Sequence, residues 1–170
     1  QSYSARSEMG GGIILDAIHE LDYISWFLGD LKINHSFVDK TSDLEINTED
    51  IAEILMTSAS GTFVSVHLDY LQTSYHRSCR LVGEKGVLEW NFNEKLVKHH
   101  DAASGSIQTF PAPPDYDLNT MYREELKHFL RCLDKKEPPI QDLNHARKVL
   151  QLALDARSAF QLNQGMMPRG

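Results

Sequence analysis

The hydrophobic positions near the start of the chain recur with a helical period. Gly29 follows an apolar stripe that recurs at i, i+3, i+4 and i+7, namely Ile14, Ala17, Ile18, Leu21, Ile24 and Leu28. This spacing puts the stripe on one side of a helix, and a glycine commonly ends such a helix. The pattern therefore predicts an amphipathic helix over residues 13–28.

The middle of the chain follows the shorter period of β-strands. Turn residues separate six β-rich runs, at residues 32–42, 50–59, 61–72, 75–83, 86–93 and 95–102. The connections are short, for example SG at 60–61 and TS at 73–74, and leave no room for crossover helices. We therefore expect an antiparallel meander, which disfavours a parallel Rossmann sheet.

Two further helices are predicted to close the chain. After a proline-containing loop at 110–119, a helix over 120–136 has a predicted buried face made of Met121, Leu126, Phe129, Leu130 and Leu133. Asp142 is predicted to cap a last helix over 143–162, whose apolar side comprises Val149, Leu150, Leu152, Ala153, Ala156 and Phe160. The predicted fold is α+β: a predominantly antiparallel open sheet of about six strands, with helices on one face and the other face left for a partner.

Composition narrows the class of protein. The 170 residues carry a formal net charge of −7, which opposes binding to nucleic acid or to an anionic membrane. No apolar run reaches the roughly 20 residues that span a bilayer, and no signal peptide is recognisable. Cys79 and Cys132 show no paired spacing and are expected to be reduced thiols. We expect a cytoplasmic protein with one domain over residues 1–170.

The first predicted helix carries the candidate chemistry. Asp16, His19 and Asp22 follow one another at intervals of three, so neighbouring members share a helix face. A carboxylate beside an imidazole prepares the ring for proton exchange near neutral pH. The same residues also fit surface acids near a helix N-terminus with a satisfied histidine. The spacing alone leaves both interpretations open.

Three glycines, Gly10, Gly11 and Gly12, precede this helix and allow a backbone or a flat ring to come close, or form a flexible entry loop. Tyr3 and Arg6 could reach a polar ligand at the same end. No G-x-G-x-x-G is present.

A catalytic metal is disfavoured, because there is no H-E-x-x-H motif and the adjacent histidines at 99–100 point to opposite faces of a strand.

Together these segments resemble a family. "GGGIILDAIHELDYISWFLG" is similar to the stretch that opens the C-terminal half of the Gfo/Idh/MocA oxidoreductases (glucose-fructose oxidoreductase, inositol dehydrogenase and rhizopine catabolism proteins). "RLVGEKGVLEWN" and the two closing helices agree with it. The resemblance implies a C-terminal substrate-binding and oligomerisation domain whose partner, an N-terminal Rossmann domain, binds NAD or NADP and supplies a lysine. It also implies a homodimer or homotetramer formed through the open sheet face.

By the same resemblance, His19 exchanges a proton with the substrate and Asp16 is its carboxylate companion. We also expect Tyr3, Arg6 and Asp22 to contact the substrate. Gly10, Gly11 and Gly12 would face the nicotinamide. The expected function is hydride transfer between that cofactor and a sugar, polyol or sugar derivative, with this chain inactive alone. The alternative is a non-catalytic binding or oligomerisation module. One departure concerns Asp16, because "DAIH" has two residues between acid and histidine where the family pattern has three.

Overall fold

The computed structural model describes residues 2–164, and their side chains as far as residue 158. This part of the chain forms two compact units, one from residues 2–71 with 140–164 and the other from residues 72–139. The first contains helices α1 (Ile13–Asp16), α2 (Ile18–Leu28) and α4 (Leu143–Gln164) and strands β1 (Leu31–Asp39), β2 (Ile51–Ser58) and β3 (Phe63–Asp69). The second contains strands β4 (Ser78–Gly83), β5 (Gly86–Asn91), β6 (Leu96–Asp101) and β7 (Ile107–Pro111) and helix α3 (Leu118–Leu133). The α+β class and the antiparallel strand pairing are confirmed.

The predicted single helix over 13–28 is interrupted. Asp16 ends α1, and Ala17 leaves the helical region with φ −99° and ψ 25° before α2 begins. Leu21 and Ile24 in α2 are buried as the stripe predicts, and Gly29 follows the last helical residue. An apolar stripe records only which side of a helix faces the core, so it gives no signal of a break between two short helices that share that side.

Sheet A contains β1, β2 and β3 in that order, all antiparallel. Buried and exposed side chains alternate along its strands, as expected for a sheet with one face in the core. Ile54 of β2 and Val66 of β3 are paired across the two strands, and both belong to the core. Helix α4 covers this face through Val149, Leu152, Ala153 and Ala156. Leu150 is exposed, against the prediction, and the side chain of Phe160 lies outside the described residues. Asp142 does cap α4, because its carboxylate accepts the His145 N–H at 2.8 Å.

Sheet B contains β4 to β7 in sequence order. The single sheet of about six strands is therefore corrected to two sheets with three and four strands. The TS pair at 73–74 resembles a hairpin turn, but β3 ends at Asp69, and residues 70–77 before β4 belong to no strand. Strand β7 was not predicted, since its last residue is Pro111; an edge strand tolerates proline because one side needs no hydrogen-bond donor.

Helix α3 begins at a capping box in which Asp117 accepts the Thr120 N–H at 2.7 Å. Its amphipathic face is nevertheless exposed: within the described part of the chain, none of its residues is buried. This corrects the predicted buried face, whose members are 47–62% exposed: Met121, Leu126, Phe129, Leu130 and Leu133. Amphipathic spacing identifies an apolar side but does not specify a neighbouring element to cover it.

Candidate active site

Asp16 lies between two tyrosine hydroxyls at the end of α1. The Tyr3 hydroxyl donates to Oδ1 at 2.5 Å, and the Tyr70 hydroxyl donates to Oδ2 at 3.2 Å. Tyr3 belongs to a short 3₁₀ turn before the glycines, while Tyr70 immediately follows β3. Three segments that are distant in sequence thus converge on one carboxylate.

Electrostatics keep both phenols protonated. The hydrogen bond to Asp16 raises the pKa of Tyr3 above its usual value. Burial raises the pKa of Tyr70 above its usual value, and the nearby charge of Asp16 raises this pKa further. Each hydroxyl therefore remains a donor at neutral pH, and the carboxylate remains the acceptor of both. The arrangement fixes the orientation of Asp16 by two hydrogen bonds of the charge-assisted kind.

The glycine run packs against the chain itself. A Cβ on Gly11 would meet the backbone carbonyls of Tyr3 and Ser4, and one on Gly12 would meet the carboxylate of Glu49. Glu49 is completely buried, and its Oε2 accepts from Arg157 Nε of α4 at 3.1 Å. Burial raises the pKa of Glu49, an effect that the Arg157 charge opposes. The Glu49 carbonyl also accepts the Ile13 N–H at 3.2 Å and so holds the start of α1.

A second buried acid anchors the segment that carries Glu49. Asp50 accepts the backbone N–H groups of Thr41 and Ser42 at 2.8 and 2.9 Å, and both of their hydroxyls as well. Burial alone would raise the pKa of Asp50, but these hydrogen bonds outweigh it and lower that pKa. Because the donors come from the connection after β1, Asp50 fixes the path of the chain into β2.

His19 occupies the first turn of α2, beyond the break at Ala17. Its Nε2 lies 3.2 Å from Glu20 Oε1, and its side chain is 54% exposed. The hydrogen bonds of Asp16 go to the two tyrosines instead, so the expected direct pair of Asp16 with His19 is not formed in this structure. The imidazole remains accessible to a small molecule from solvent.

The other candidates fall in two places. Arg6 is exposed beside the 3₁₀ turn of Tyr3, and its carbonyl accepts the Gly11 N–H at 2.9 Å. Asp22 faces α4, where its Oδ1 lies 2.7 Å from His145 Nε2. Tyr3 thus contacts Asp16, Arg6 and the glycines precede the start of α1, and Asp22 links α2 to α4.

Sequence reasoning did not identify Tyr70 or Glu49 as members of this group. Tyr70 continues the alternation of Val66 and Leu68 on the inner face of β3, so its position was detectable, although its partner was not. Glu49 lies in the polar run NTED at 47–50, which is typical of a surface turn. Its burial depends on Arg157, more than one hundred residues later in the chain.

Comparison with known proteins identifies the family. Residues 1–89, just over half of the chain, match the family described as the GFO/IDH/MocA C-terminal domain. The chain belongs to this family. It is also 28% identical over 149 residues to inositol 2-dehydrogenase 2 of Paenarthrobacter aurescens, an alignment that covers 85% of this chain and 43% of that protein.

Solved structures agree on the fold. UDP-N-acetylglucosamine 3-dehydrogenase GnnA from Acidithiobacillus ferrooxidans superposes with a TM-score of 0.74 at 19% identity, over 88% of this chain and 47% of that one. The 3-ketoreductase KijD10 from Actinomadura kijaniata, in complex with NADP and TDP-benzene, has a TM-score of 0.76 at 16% identity, over 94% and 49% of the respective chains. This chain therefore spans less than half the length of each of these relatives.

Across the described helices, none is both apolar and long enough to cross a membrane.

Proposed function

We propose that this chain is the substrate-binding C-terminal part of an NAD(P)-dependent oxidoreductase that acts on a sugar, polyol or sugar derivative. The observation that carries the proposal is the Asp16 carboxylate held by Tyr3 and Tyr70 within the glycine-led segment. Membership of the family and the alignment to an inositol dehydrogenase support the class of reaction. A polar cluster of hydroxyls and a carboxylate also suits a substrate rich in hydroxyl groups. Cytoplasmic location stays a prediction.

Of the three glycines before α1, Gly10 alone leaves open space where a nicotinamide could approach. The space beside Gly11 and Gly12 is filled by the chain's own carbonyls and by Glu49, whereas a Cβ on Gly10 would meet open space. The sequence contains no phosphate-binding glycine motif, so the rest of the cofactor must be held by another domain. When bound, the cofactor supplies the acceptor or donor of hydride. Of the three glycines, we therefore propose that Gly10 contacts the cofactor.

Within this chain, the proposed roles follow from exposure and hydrogen bonding. His19, with an accessible ring, takes the proton of the reacting hydroxyl in the oxidising direction and returns it in the reverse direction. Asp16 accepts a hydrogen bond from the substrate, and Tyr3 and Tyr70 are positioning residues that keep its two oxygens in place. Arg6, exposed beside the 3₁₀ turn of Tyr3, contacts polar groups of the substrate.

The proposal is tested with the polypeptide encoded by the complete gene. We expect it to reduce NAD⁺ or NADP⁺ with at least one member of a panel of cyclic polyols, free sugars and nucleotide sugars, followed by absorbance of the reduced nicotinamide. The 170-residue chain alone is expected to be inactive and to show no micromolar affinity for NADH by calorimetry. A complete polypeptide that turns over no member of the panel and binds neither cofactor would contradict the proposal.

Removing the Tyr70 hydroxyl tests the positioning role. In the complete polypeptide, Tyr70→Phe should lower kcat/KM about 10-fold, because one hydrogen bond to a charged group is lost while the ring still fills its place. The dissociation constant of the cofactor should not change. Tyr75→Phe is the control, since Tyr75 is exposed and its ring contacts Phe92. Equal kinetics in the two variants would exclude a role for Tyr70 in holding Asp16.

One observation favours a second candidate, the binding or oligomerisation module. The outer face of sheet A exposes Phe37, Leu55 and Phe63, with Phe63 exposed by 87%. Apolar side chains grouped on one face are typical of a surface that pairs with another chain. Under this alternative the complete polypeptide self-associates without turnover, and Phe63→Lys shifts the mass measured by light scattering toward the monomer. Proposed dimers or tetramers of the enzyme would use the same face.

A further inference from the structure

The chain just before β2 lies along the residues that lead into α1. The Asn47 N–H donates to the Ala5 carbonyl at 3.1 Å, and the Thr48 hydroxyl donates to the Ser4 carbonyl at 3.3 Å. Glu49 follows them, and its own carbonyl accepts the first N–H of α1. Both ends of the leading segment are therefore attached to one short piece of chain.

The side chain of Asn47 makes two further contacts with the same segment. Its Oδ1 accepts the Ser7 N–H at 2.7 Å, and its Nδ2 donates to Glu8 Oε2 at 3.2 Å. A side-chain amide carries an acceptor and a donor on neighbouring atoms, so one orientation of the group satisfies both contacts. An aspartate would keep the first contact and place a like charge beside Glu8 in the second. Asn47 therefore matches both partners in hydrogen-bonding character.

These contacts restrain the 3₁₀ turn Tyr3–Ala5. The Tyr3 and Ser4 carbonyls of this turn lie so close to Gly11 that a Cβ there would overlap them. The turn thus contacts both the glycine run and the chain before β2. The Tyr3 hydroxyl reaches Asp16 Oδ1 from this turn. Because the Tyr3 side chain is exposed, packing restrains its ring only in part, and the turn must set the position of its hydroxyl.

We propose that Asn47 is a positioning residue of the candidate active site: by holding residues 5–8, it keeps the Tyr3 hydroxyl on Asp16. This role rests on the proposed oxidoreductase function, because it affects turnover only if Asp16 contacts the substrate. A displacement of about 1 Å in a positioned group is enough to slow an enzyme. Supporting contacts of this kind determine how precisely the groups that touch the substrate are held.

Kinetics of the complete polypeptide test the connection between Asn47 and Tyr3. Asn47→Ala should lower kcat/KM about 5-fold, as expected for one net hydrogen bond, and Tyr3→Phe should lower it about 10-fold. If Asn47 acts through the Tyr3 hydroxyl, the double variant should lose about 10-fold rather than the roughly 50-fold of independent effects. Asn93→Ala is the matched control and should keep kcat/KM, since the Asn93 amide also joins two segments, donating to the Tyr75 carbonyl at 2.7 Å in the other unit.

An exchange of hydrogen-bonding character tests the contact with Glu8. Asn47→Asp should lower kcat/KM at least as much as Asn47→Ala, because two carboxylates would then face each other. Addition of Glu8→Gln to Asn47→Asp should restore most of the loss, since the donor and the acceptor have only exchanged places. A loss that Glu8→Gln does not relieve would contradict the proposed contact.

Hydrogen exchange in the 170-residue chain tests the anchoring without any activity. Asn47 is exposed, so Asn47→Ala should fold, speed amide exchange in the peptide that contains residues 5–12 and leave exchange in sheet A unchanged, as measured by mass spectrometry. Asn93→Ala should not change exchange in that peptide. Unchanged exchange in Asn47→Ala, or a loss of about 50-fold in the double variant with Tyr3→Phe, would overturn the proposal. A complete polypeptide without turnover would instead contradict the proposed function, and faster exchange in Asn47→Ala would still support the anchoring of the turn.

Discussion

In the complete polypeptide, His19→Ala should lower kcat by about 100-fold or more, because a positioned acid–base group commonly contributes that much to proton transfer. At 25 °C a factor of 100 corresponds to about 2.7 kcal/mol of transition-state stabilisation. The side chain is 54% exposed and pairs with Glu20, so its removal should change the free energy of unfolding little. Affinity for the cofactor should remain near that of the unaltered protein. Steady-state kinetics and calorimetry measure the two effects.

The pH profile separates chemistry from folding. If His19 accepts the proton in the oxidising direction, any acidic decline in the profile of kcat/KM should be absent from His19→Ala. His76→Ala is the control, since His76 lies in the exposed connection before β4 and belongs to the other unit. A profile that keeps its acidic decline in His19→Ala would assign the proton transfer to another group.

The Asp16 spacing shows what the sequence could and could not predict. The stripe correctly identified the buried side of the first helical segment, including Ile14, Leu21 and Ile24. It also led to the inference that Asp16 and His19 are neighbours on one continuous helix. The break at Ala17 removes that continuity, and Asp16 instead meets Tyr3 and Tyr70. The short "DAIH" spacing coincides with this break, which helical periodicity does not detect.

The other differences between the predicted and the observed fold also arise from contacts between residues distant in sequence. The antiparallel pairing was predictable because short connections restrict it locally, but the division into two sheets was not, because residues 70–77 belong to no strand although turn residues at 73–74 suggested a hairpin. The sequence of the buried segment at 48–50 is typical of a polar turn. Its burial is accompanied by contacts with Arg157, Thr41 and Ser42, which the local pattern does not predict. Local patterns define elements, whereas this site is assembled from contacts between distant segments.

Gly12→Ala should destabilise the 170-residue chain by about 4 kcal/mol, because it combines two costs. Gly12 has φ 116°, a region that residues with a Cβ rarely adopt, and the new methyl would overlap the buried carboxylate of Glu49. Displacing that carboxylate separates it from Arg157, and a broken buried ion pair typically costs about 3–5 kcal/mol. Urea denaturation followed by circular dichroism measures the loss.

Gly10→Ala isolates the backbone cost. Gly10 also has a positive φ, 78°, but a Cβ there would meet nothing within 4 Å, so the substitution should cost only about 1–2 kcal/mol. The difference between the variants therefore combines the contact of Gly12 with Glu49 and the greater backbone strain of a Cβ at φ 116°, ψ 151° than at φ 78°, ψ 20°. Equal destabilisation would show that Glu49 adapts freely. A larger loss in Gly12→Ala is the result expected if the third glycine is required by the Glu49–Arg157 pair, beside the start of the helix that ends at Asp16.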